Sequence, residues 1–224
     1  GNDIVLDSFG NIYVTGYSDN SLDSPLNLDM VIWKYTSSGT LDTSFGSGGY
    51  VVHNNAGGGY GNDRGNAIAL ASDGSIYVTG VTEGLIADPY AYNFDFVIWK
   101  YDSTGALDTS FGDGGIVTHD NPFATSGGSD EAGQSIALDG SGGIYVVGYS
   151  QRESGYDMIL WKHDAAGALD TSFGTNGKIS DDDAAGGEGN DEGFSIALDT
   201  SGNIYVTGYS EDSFGTDRMV LWKY

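Results

Sequence analysis

The residues best suited to chemistry are three D-T-S triplets, each inside the same segment, L-D-T-S-F-G. The segment occupies 41–46, 107–112 and 169–174. A serine or threonine nucleophile needs a neighbouring base to activate it. Nothing adjacent to the triplets supplies that base, and three identical copies indicate a structural turn with the phenylalanine as its plug. We therefore predict no catalytic residues in these segments.

The three histidines form no predicted metal site. His53 and His119 each follow a glycine, Gly49 and Gly115, by four residues, so they hold the same place in two copies of a repeat. Equivalent positions in separate copies lie apart, and no histidine set has the local spacing of a zinc site. The glycine-rich run 57–61 lacks the Lys-Ser/Thr pair of a phosphate-binding loop.

Calcium is the more serious metal candidate. Acidic, glycine-rich segments separate the repeats and are predicted as loops, and the third of them carries the most oxygen ligands. Its candidate ligands are Asp181, Asp182, Asp183, Glu188 and Asp191. Calcium prefers such ligands, but no D-x-[DN]-x-[DN]-G loop occurs, and an acidic surface loop is more often only solvated. We expect no cofactor, with calcium at this loop as the alternative.

The charge of the chain excludes several partners. Its 224 residues carry a formal charge of −24, from 32 acidic and 8 basic residues. Nucleic acid and anionic membranes are disfavoured, because both require a basic patch. No apolar run is long enough to span a membrane. The chain has no cysteine, so neither disulfides nor thiolate chemistry are expected.

One unit recurs four times along the chain. The triplet I-Y-V lies at 12–14, 76–78, 144–146 and 204–206. Each of the four tryptophans is followed by lysine. They are Trp33, Trp99, Trp161 and Trp222. Regular self-similarity with a period of a few tens of residues indicates a solenoid or a propeller.

Each unit predicts four strands. A short apolar run, the I-Y-V strand and the tryptophan strand are followed by a fourth strand after L-D-T-S-F-G. The tryptophan strand has apolar residues on both sides, which predicts burial on both faces. We therefore predict an all-β protein, a β-propeller of four blades at about 1–64, 65–132, 133–192 and 193–224. The first strand would be innermost and the fourth outermost.

The joint pattern S-I-A-L-D, G-N-I-Y-V-T-G-Y-S, V-I-W-K-Y and L-D-T-S-F-G-x-x-G resembles the bacterial β-propeller repeat and its relative, the delta-sixty repeat. The resemblance covers essentially the whole chain. It implies a secreted or cell-surface bacterial repeat protein. It implies no activity and supplies no catalytic residues, because these repeats are known mainly as architecture.

The fourth unit stops at Tyr224, after its third strand. The chain is an excerpt, its last blade is short, or another chain supplies the missing strand. An unpaired apolar strand edge is a template for strand addition, and head-to-tail addition that does not close gives a filament. The predicted interface is Met219, Val220, Leu221, Trp222 and Tyr224.

We expect a non-enzymatic, extracellular or cell-surface protein with a structural or adhesive role, self-associating through this interface. The alternative is a propeller module that binds glycan or calcium. The aromatic candidates for sugar binding are Tyr17, Tyr90, Tyr92, Tyr149 and Tyr209. Packing between blades is the other interpretation of these tyrosines. An enzyme ranks third, because no single-copy polar constellation is evident.

Overall fold

The computed structural model describes residues 1–19, 27–57, 61–85, 92–119, 130–152 and 155–224. The first blade has strands β1 (Asp3–Leu6), β2 (Ile12–Asp19), β3 (Leu28–Tyr35) and β4 (Tyr50–His53). The second has β5 (Asp63–Leu70), β6 (Ile76–Leu85), β7 (Tyr92–Tyr101) and β8 (Ile116–His119). The third has β9 (Glu131–Leu138), β10 (Ile144–Arg152), β11 (Gly155–His163) and β12 (Lys178–Asp181). The fourth has β13 (Asp191–Leu198), β14 (Ile204–Glu211) and β15 (Asp217–Lys223).

The strands of each blade form one antiparallel sheet in chain order. Three sheets have four strands, and the sheet of the fourth blade has three. The first strands of successive blades contact one another, β1 with β5, β5 with β9 and β9 with β13, as innermost strands do. The predicted all-β, four-blade propeller is confirmed. The described part of the chain contains no helix that is long and apolar enough to cross a membrane.

The first strands are longer than the sequence predicted. They begin at Asp63, Glu131 and Asp191, inside segments predicted as acidic loops. A register shift next to the glycine of each strand, between Gly65 and Ala67, between Gly133 and Ser135 and between Gly193 and Ser195, lets pairing continue past the glycine. Asp63, Glu131 and Asp191 are consequently buried rather than solvated, which corrects the loop interpretation at those three positions.

Every sheet has two apolar faces. We call leading face the one that carries, in the second blade, Ile76, Val78 and Trp99. We call trailing face the opposite one, which carries Tyr77, Phe96 and Ile98. Side chains alternate between the faces because successive residues of a strand point to opposite sides.

The core lies between blades rather than within one. The trailing face of the first blade packs on the leading face of the second, and their side chains form one buried cluster. The second and third blades form a second cluster in the same way, and the third and fourth a third. The third strand is buried on both faces in the second and third blades, as its apolar pattern predicted, whereas Trp33 of the first blade is only half-buried.

Candidate functional site

The D-T-S-F-G segments have a structural role. Each places its phenylalanine in or against the apolar core between two blades, and we call such a segment a plug. The carboxylate of Asp108 accepts a hydrogen bond from the Ser110 hydroxyl at 2.5 Å and forms an ion pair with the Lys100 ammonium at 2.9 Å. These two contacts lower the pKa of Asp108 to about 2. A carboxylate of that pKa is too weak a base to activate a hydroxyl. Phe111 is fully buried, and its ring meets that of Tyr77 edge-on at 5.9 Å.

The same contacts recur in the other copies of the segment. The pairs Lys34–Asp42 and Lys162–Asp170 are 3.1 and 2.8 Å long. The plug is also joined to the next blade, because the Gly112 amide donates to the Ala166 carbonyl at 2.8 Å. The segment therefore holds the outer part of one blade against its neighbour.

The histidines serve contacts between blades. His119 Nε2 lies 2.7 Å from His163 Nε2, and both rings stack on Phe96. At the preceding interface His53 Nδ1 lies 2.8 Å from the Tyr101 hydroxyl. Burial lowers the pKa of His53 and His119 to about 4 and that of His163 to about 3, so all three rings are neutral at pH 7.

The sequence indicated that His53 and His119 lie in different blades, but it did not indicate which residues their rings contact. Tyr101 and His163 each come directly after a Trp-Lys pair, where Tyr35 and Tyr224 stand in the first and last copies. The fourth strand of each blade ends beside that position of the next blade. The recurring position after Trp-Lys was the available signal.

An acidic cleft of about 240 Å³ lies beside the interface of the third and fourth blades. Its charged lining residues are Arg152, Asp157, Asp182, Asp183 and Glu188. Asp157 is 5% exposed and forms an ion pair with Arg152. Burial, opposed by Arg152 and reinforced by Asp182, raises the pKa of Asp157 to about 6.

The other two predicted calcium ligands lie off the lining of this cleft. Asp191 is fully buried in β13, where burial raises its pKa to about 6. Its equivalent in the second blade, Asp63, accepts backbone hydrogen bonds from Asn55 and Ala56 at 2.5 and 3.3 Å, and so ties down the segment between blades. Asp181 ends β12. Among the described residues, no three His, Asp or Glu side chains are arranged to hold a metal ion. Calcium binding stays a prediction.

Aromatic and charged side chains meet where the first strands begin and the second strands end. The Arg64 guanidinium lies 5.5 Å from the ring centre of Tyr17 and 5.4 Å from that of Phe94. The Tyr209 hydroxyl donates to Glu192 at 2.8 Å. Tyr149 packs against Tyr156, with ring centres 4.8 Å apart.

The sequence reading missed Arg64 and Glu192 in this cluster. They occupy one repeat position, where the third blade has Ala132, and this break in the repeat was the available signal. Of the predicted sugar-binding tyrosines, Tyr90 and the side chain of Tyr92 lie outside the described residues. Tyr17 is 46% exposed.

As far as the described residues show, each of the two outermost faces of the row of blades leaves large apolar side chains exposed. Ile4 and Leu6, on the leading face of the first blade, are both 61% exposed. Met219 and Leu221, on the trailing face of the fourth blade, are 83% and 61% exposed. Their counterparts at all three internal interfaces are fully buried: Met30, Phe96, Met158, Ile32, Ile98 and Leu160.

The structure divides the predicted interface residues into two groups. Met219 and Leu221 point away from the chain into solvent. Trp222 is buried, and Val220 and Tyr224 pack beside it in the cluster shared with the third blade. Within the described residues, the outer edge of β15 borders no further strand. The exposed parts of the predicted interface are therefore the backbone edge of β15 and the side chains of Met219 and Leu221.

Comparison with known proteins supports the architecture. A family model described as a beta-propeller repeat matches residues 1–23 and 185–215. A model described as a beta-propeller domain of unknown function (DUF5122) matches residues 71–111. These matches confirm the resemblance to the bacterial β-propeller repeat family. No curated protein matches the chain.

Ten chains of solved structures match. One is a gluconolactonase from Xanthomonas campestris, 15% identical with a TM-score of 0.40, over 100% of this chain and 57% of that one. Another is Sqt1 from Chaetomium thermophilum, 15% identical with a TM-score of 0.37, over 92% of this chain and 55% of that one. The chain thus spans little more than half the length of either, and likeness at this level carries no activity over.

Proposed function

We propose that this chain is a non-enzymatic structural module that acts outside the cell by associating with itself. The observation that carries the proposal is the pair of uncovered apolar faces at opposite ends of the blade row. Large exposed apolar side chains grouped on one surface mark interaction sites. The resemblance to bacterial β-propeller repeats supports a location outside the cell.

The absence of an activity is part of the proposal, and the roles of the chemically suited residues support it. The D-T-S serines bond to aspartates that are already paired with lysine. The histidines lie between blades, and their rings are neutral at pH 7. Each of these groups has a structural task that repeats from blade to blade.

Sedimentation velocity over a series of protein concentrations tests the proposal. We expect the weight-average sedimentation coefficient to rise with concentration as copies associate. A single monomeric species at every concentration, in both low and high salt, contradicts self-association. Salt matters because the charge of −24 repels one copy from another.

Calcium binding at the acidic cleft is the second candidate. The cleft brings Asp182, Asp183 and Glu188 to one opening, and oxygen ligands of this kind suit calcium. A ligand that binds only the folded state raises stability by about 2.7 kcal/mol at a hundred times its Kd. Calcium should raise the melting temperature of the native chain and leave that of Asp182→Asn/Asp183→Asn unchanged. An equal response of both proteins, or none, contradicts this candidate.

Glycan binding beside Arg64 is the remaining alternative. Tyr17 offers a partly exposed ring, and sugars stack on such rings while polar groups orient their hydroxyls. Binding to a panel of immobilised glycans should be lost in Tyr17→Ala and kept in Tyr50→Ala, whose ring packs on Trp33 away from the Arg64 cluster. Identical binding by the two variants contradicts this alternative.

A further inference from the structure

We propose that the trailing face of the fourth blade receives the leading face of the first blade of a second copy of this chain. The contact between copies would then repeat the contact between successive blades inside one copy. This inference rests on the proposed self-association and specifies its surfaces. It replaces pairing at the strand edge of β15 by packing of one sheet face on another.

The trailing face of the fourth blade carries the side chains that the internal trailing faces use. Met219 corresponds to Met30 and Met158, and Leu221 to Leu160. Tyr205 corresponds to Tyr13, Tyr77 and Tyr145, and Thr207 to Thr15 and Thr79. At the internal interfaces the next blade covers these side chains. Thr207 is exposed, whereas Thr15 and Thr79 are fully buried.

The leading face of the first blade carries the matching half. Ile4 corresponds to Ile68, Ile136 and Ile196, all of which are buried against the preceding blade. Trp33 is only half-buried, whereas Trp99 and Trp161 are almost completely covered. The two uncovered faces are therefore the two halves of an interface that this chain already forms three times.

A glycine at each internal interface allows the close approach of the blades. A Cβ at Gly65 would collide with the side chain of Thr15 and come within 3.2 Å of Met30 Cγ. Gly133 meets Thr79 and Gly193 meets Val147 in the same way. Gly1 holds this position in the first blade, where it borders Val14 of its own blade. In the proposed contact Gly1 of one copy lies against Thr207 and Met219 of the other.

The contact between copies would be weaker than an internal one. Internally, the Asn2 amide donates to the Gly65 carbonyl at 2.9 Å, and Asn66 donates to Gly133 at 3.0 Å. The fourth blade has Phe194 at this position, which offers apolar area but no donor. Among the described residues the fourth sheet has three strands, so they supply no counterpart of the His53–Tyr101 contact. We therefore expect reversible association that depends on concentration.

The structure favours a second copy over closure within one chain. Exposure of Met219 and Ile4 shows that neither terminal face covers the other. The elements of the first and fourth blades make no contact comparable to those between successive blades in the described residues. A contact between two different faces that does not close produces an open row of copies.

Two variants that each block one face test the inference. Met219→Asp/Leu221→Asp blocks the trailing face, and Ile4→Asp/Leu6→Asp blocks the leading face. Each variant alone should sediment as a monomer, because its one intact face finds no partner. A mixture of the two should form heterodimers and nothing longer. Phe214→Asp, which replaces a 90% exposed loop residue off both faces, should associate as the native chain does.

The possible outcomes distinguish a failure of face packing from a failure of self-association itself. If the native chain is monomeric at every concentration, self-association and this inference both fail. If the native chain associates and both double variants still do, self-association stands and face packing is wrong. Association of the double variants would instead indicate pairing at the edge of β15.

A cysteine pair tests the geometry without depending on those variants. The native chain has no cysteine, so the two thiols of Gly1→Cys/Thr207→Cys are the only ones that can form a disulfide. Oxidation should give a ladder of dimers, trimers and longer species that dithiothreitol dissolves. Single-cysteine variants should stop at dimers or stay monomeric. A monomer with an internal disulfide, or no crosslink, overturns the proposal.

Discussion

The second and fourth blades have nearly the same sequence pattern but different surroundings. Ile98 of the second blade is fully buried, whereas Leu221, at the same repeat position of the fourth, is 61% exposed. The fourth blade folds as the others do, with its strands in the same register. Burial of a trailing face is therefore supplied by the next blade and not by the blade that carries it. In such an array, stability comes from neighbour contacts, and each free end presents an unmatched face.

The first prediction compares the cost in stability of an alanine substitution at one repeat position in the second and in the fourth blade. Ile98→Ala should lower the free energy of unfolding by about 2–5 kcal/mol, because it opens a cavity in a closed interface. Leu221→Ala should change it by less than about 0.5 kcal/mol in dilute monomer, because the side chain is already in water. Urea unfolding of both variants measures the difference. Equal costs would contradict the assignment of the fourth trailing face as uncovered.

The second prediction concerns how acid changes the stability that His163 contributes at the interface of the second and third blades. The pKa of His163, between the second and third blades, is lowered to about 3 by burial. The folded state therefore binds fewer protons than the unfolded state, and stability is lost as pH falls from about 6.5 towards 3. His163→Phe should reduce this loss, by up to about 1.4 kcal/mol per pH unit. Urea unfolding at a series of pH values measures it.

The third prediction has the opposite sign, at the interface of the third and fourth blades. Burial raises the pKa of Asp191 to about 6. The folded state then binds more protons, so this group's contribution to stability falls as pH rises from about 4 to 6. Asp191→Asn should be less sensitive than the native chain to pH across that range. If Asp191→Asn and His163→Phe shift the pH profile in the same direction, the contrast between the interfaces is wrong.

The fourth prediction concerns salt and the two terminal faces. Raising the ionic strength from about 0.01 M to about 1 M shortens the Debye length from about 30 Å to about 3 Å. Association of these acidic copies should strengthen, because screening weakens repulsion while apolar packing remains. Light scattering at fixed protein concentration measures this. Dissociation at high salt would indicate a contact held by ion pairs instead.

The smallest expected effect compares two lysines at one repeat position. Lys100 pairs with Asp108 and lies over the rings of Tyr77 and Phe111. Lys223 lies over the ring of Tyr205 at 5.4 Å, and no D-T-S-F-G segment comes after it in the sequence. Lys100→Met should cost about 0.5–1 kcal/mol and Lys223→Met less, because partly exposed pairs contribute little. A larger cost for Lys223→Met would contradict the role of the plug.

The repeat made most of the fold predictable. Four copies of I-Y-V and of Trp-Lys set the strand order, and the both-sided apolar pattern of 96–99 indicated burial on two faces. The extension of β5, β9 and β13 past their glycines was not predictable, because it depends on a bulge and on the close approach of the preceding blade. In the sequence, Asp63 and Asp191 resemble solvated loop residues, but in the structure both are buried.

The functional surfaces were less predictable. The sequence predicted an edge strand that contains Met219 and Leu221, and β15 is one. Alternation along β15 turns Trp222 and Val220 inward, and only the packed sheets show which side is exposed. The His119–His163 contact joins residues in neighbouring blades whose lateral alignment depends on blade geometry. Arg64 and Glu192 stood out only as departures from the repeat.

Electron microscopy of the purified chain tests the central claim most directly. The account predicts rows in which the step from the last blade of one copy to the first blade of the next matches the step between blades within a copy. Met219→Asp/Leu221→Asp should leave single short particles under the same conditions. Rows that persist in this variant, or native chains that remain single particles at every concentration, would contradict the account.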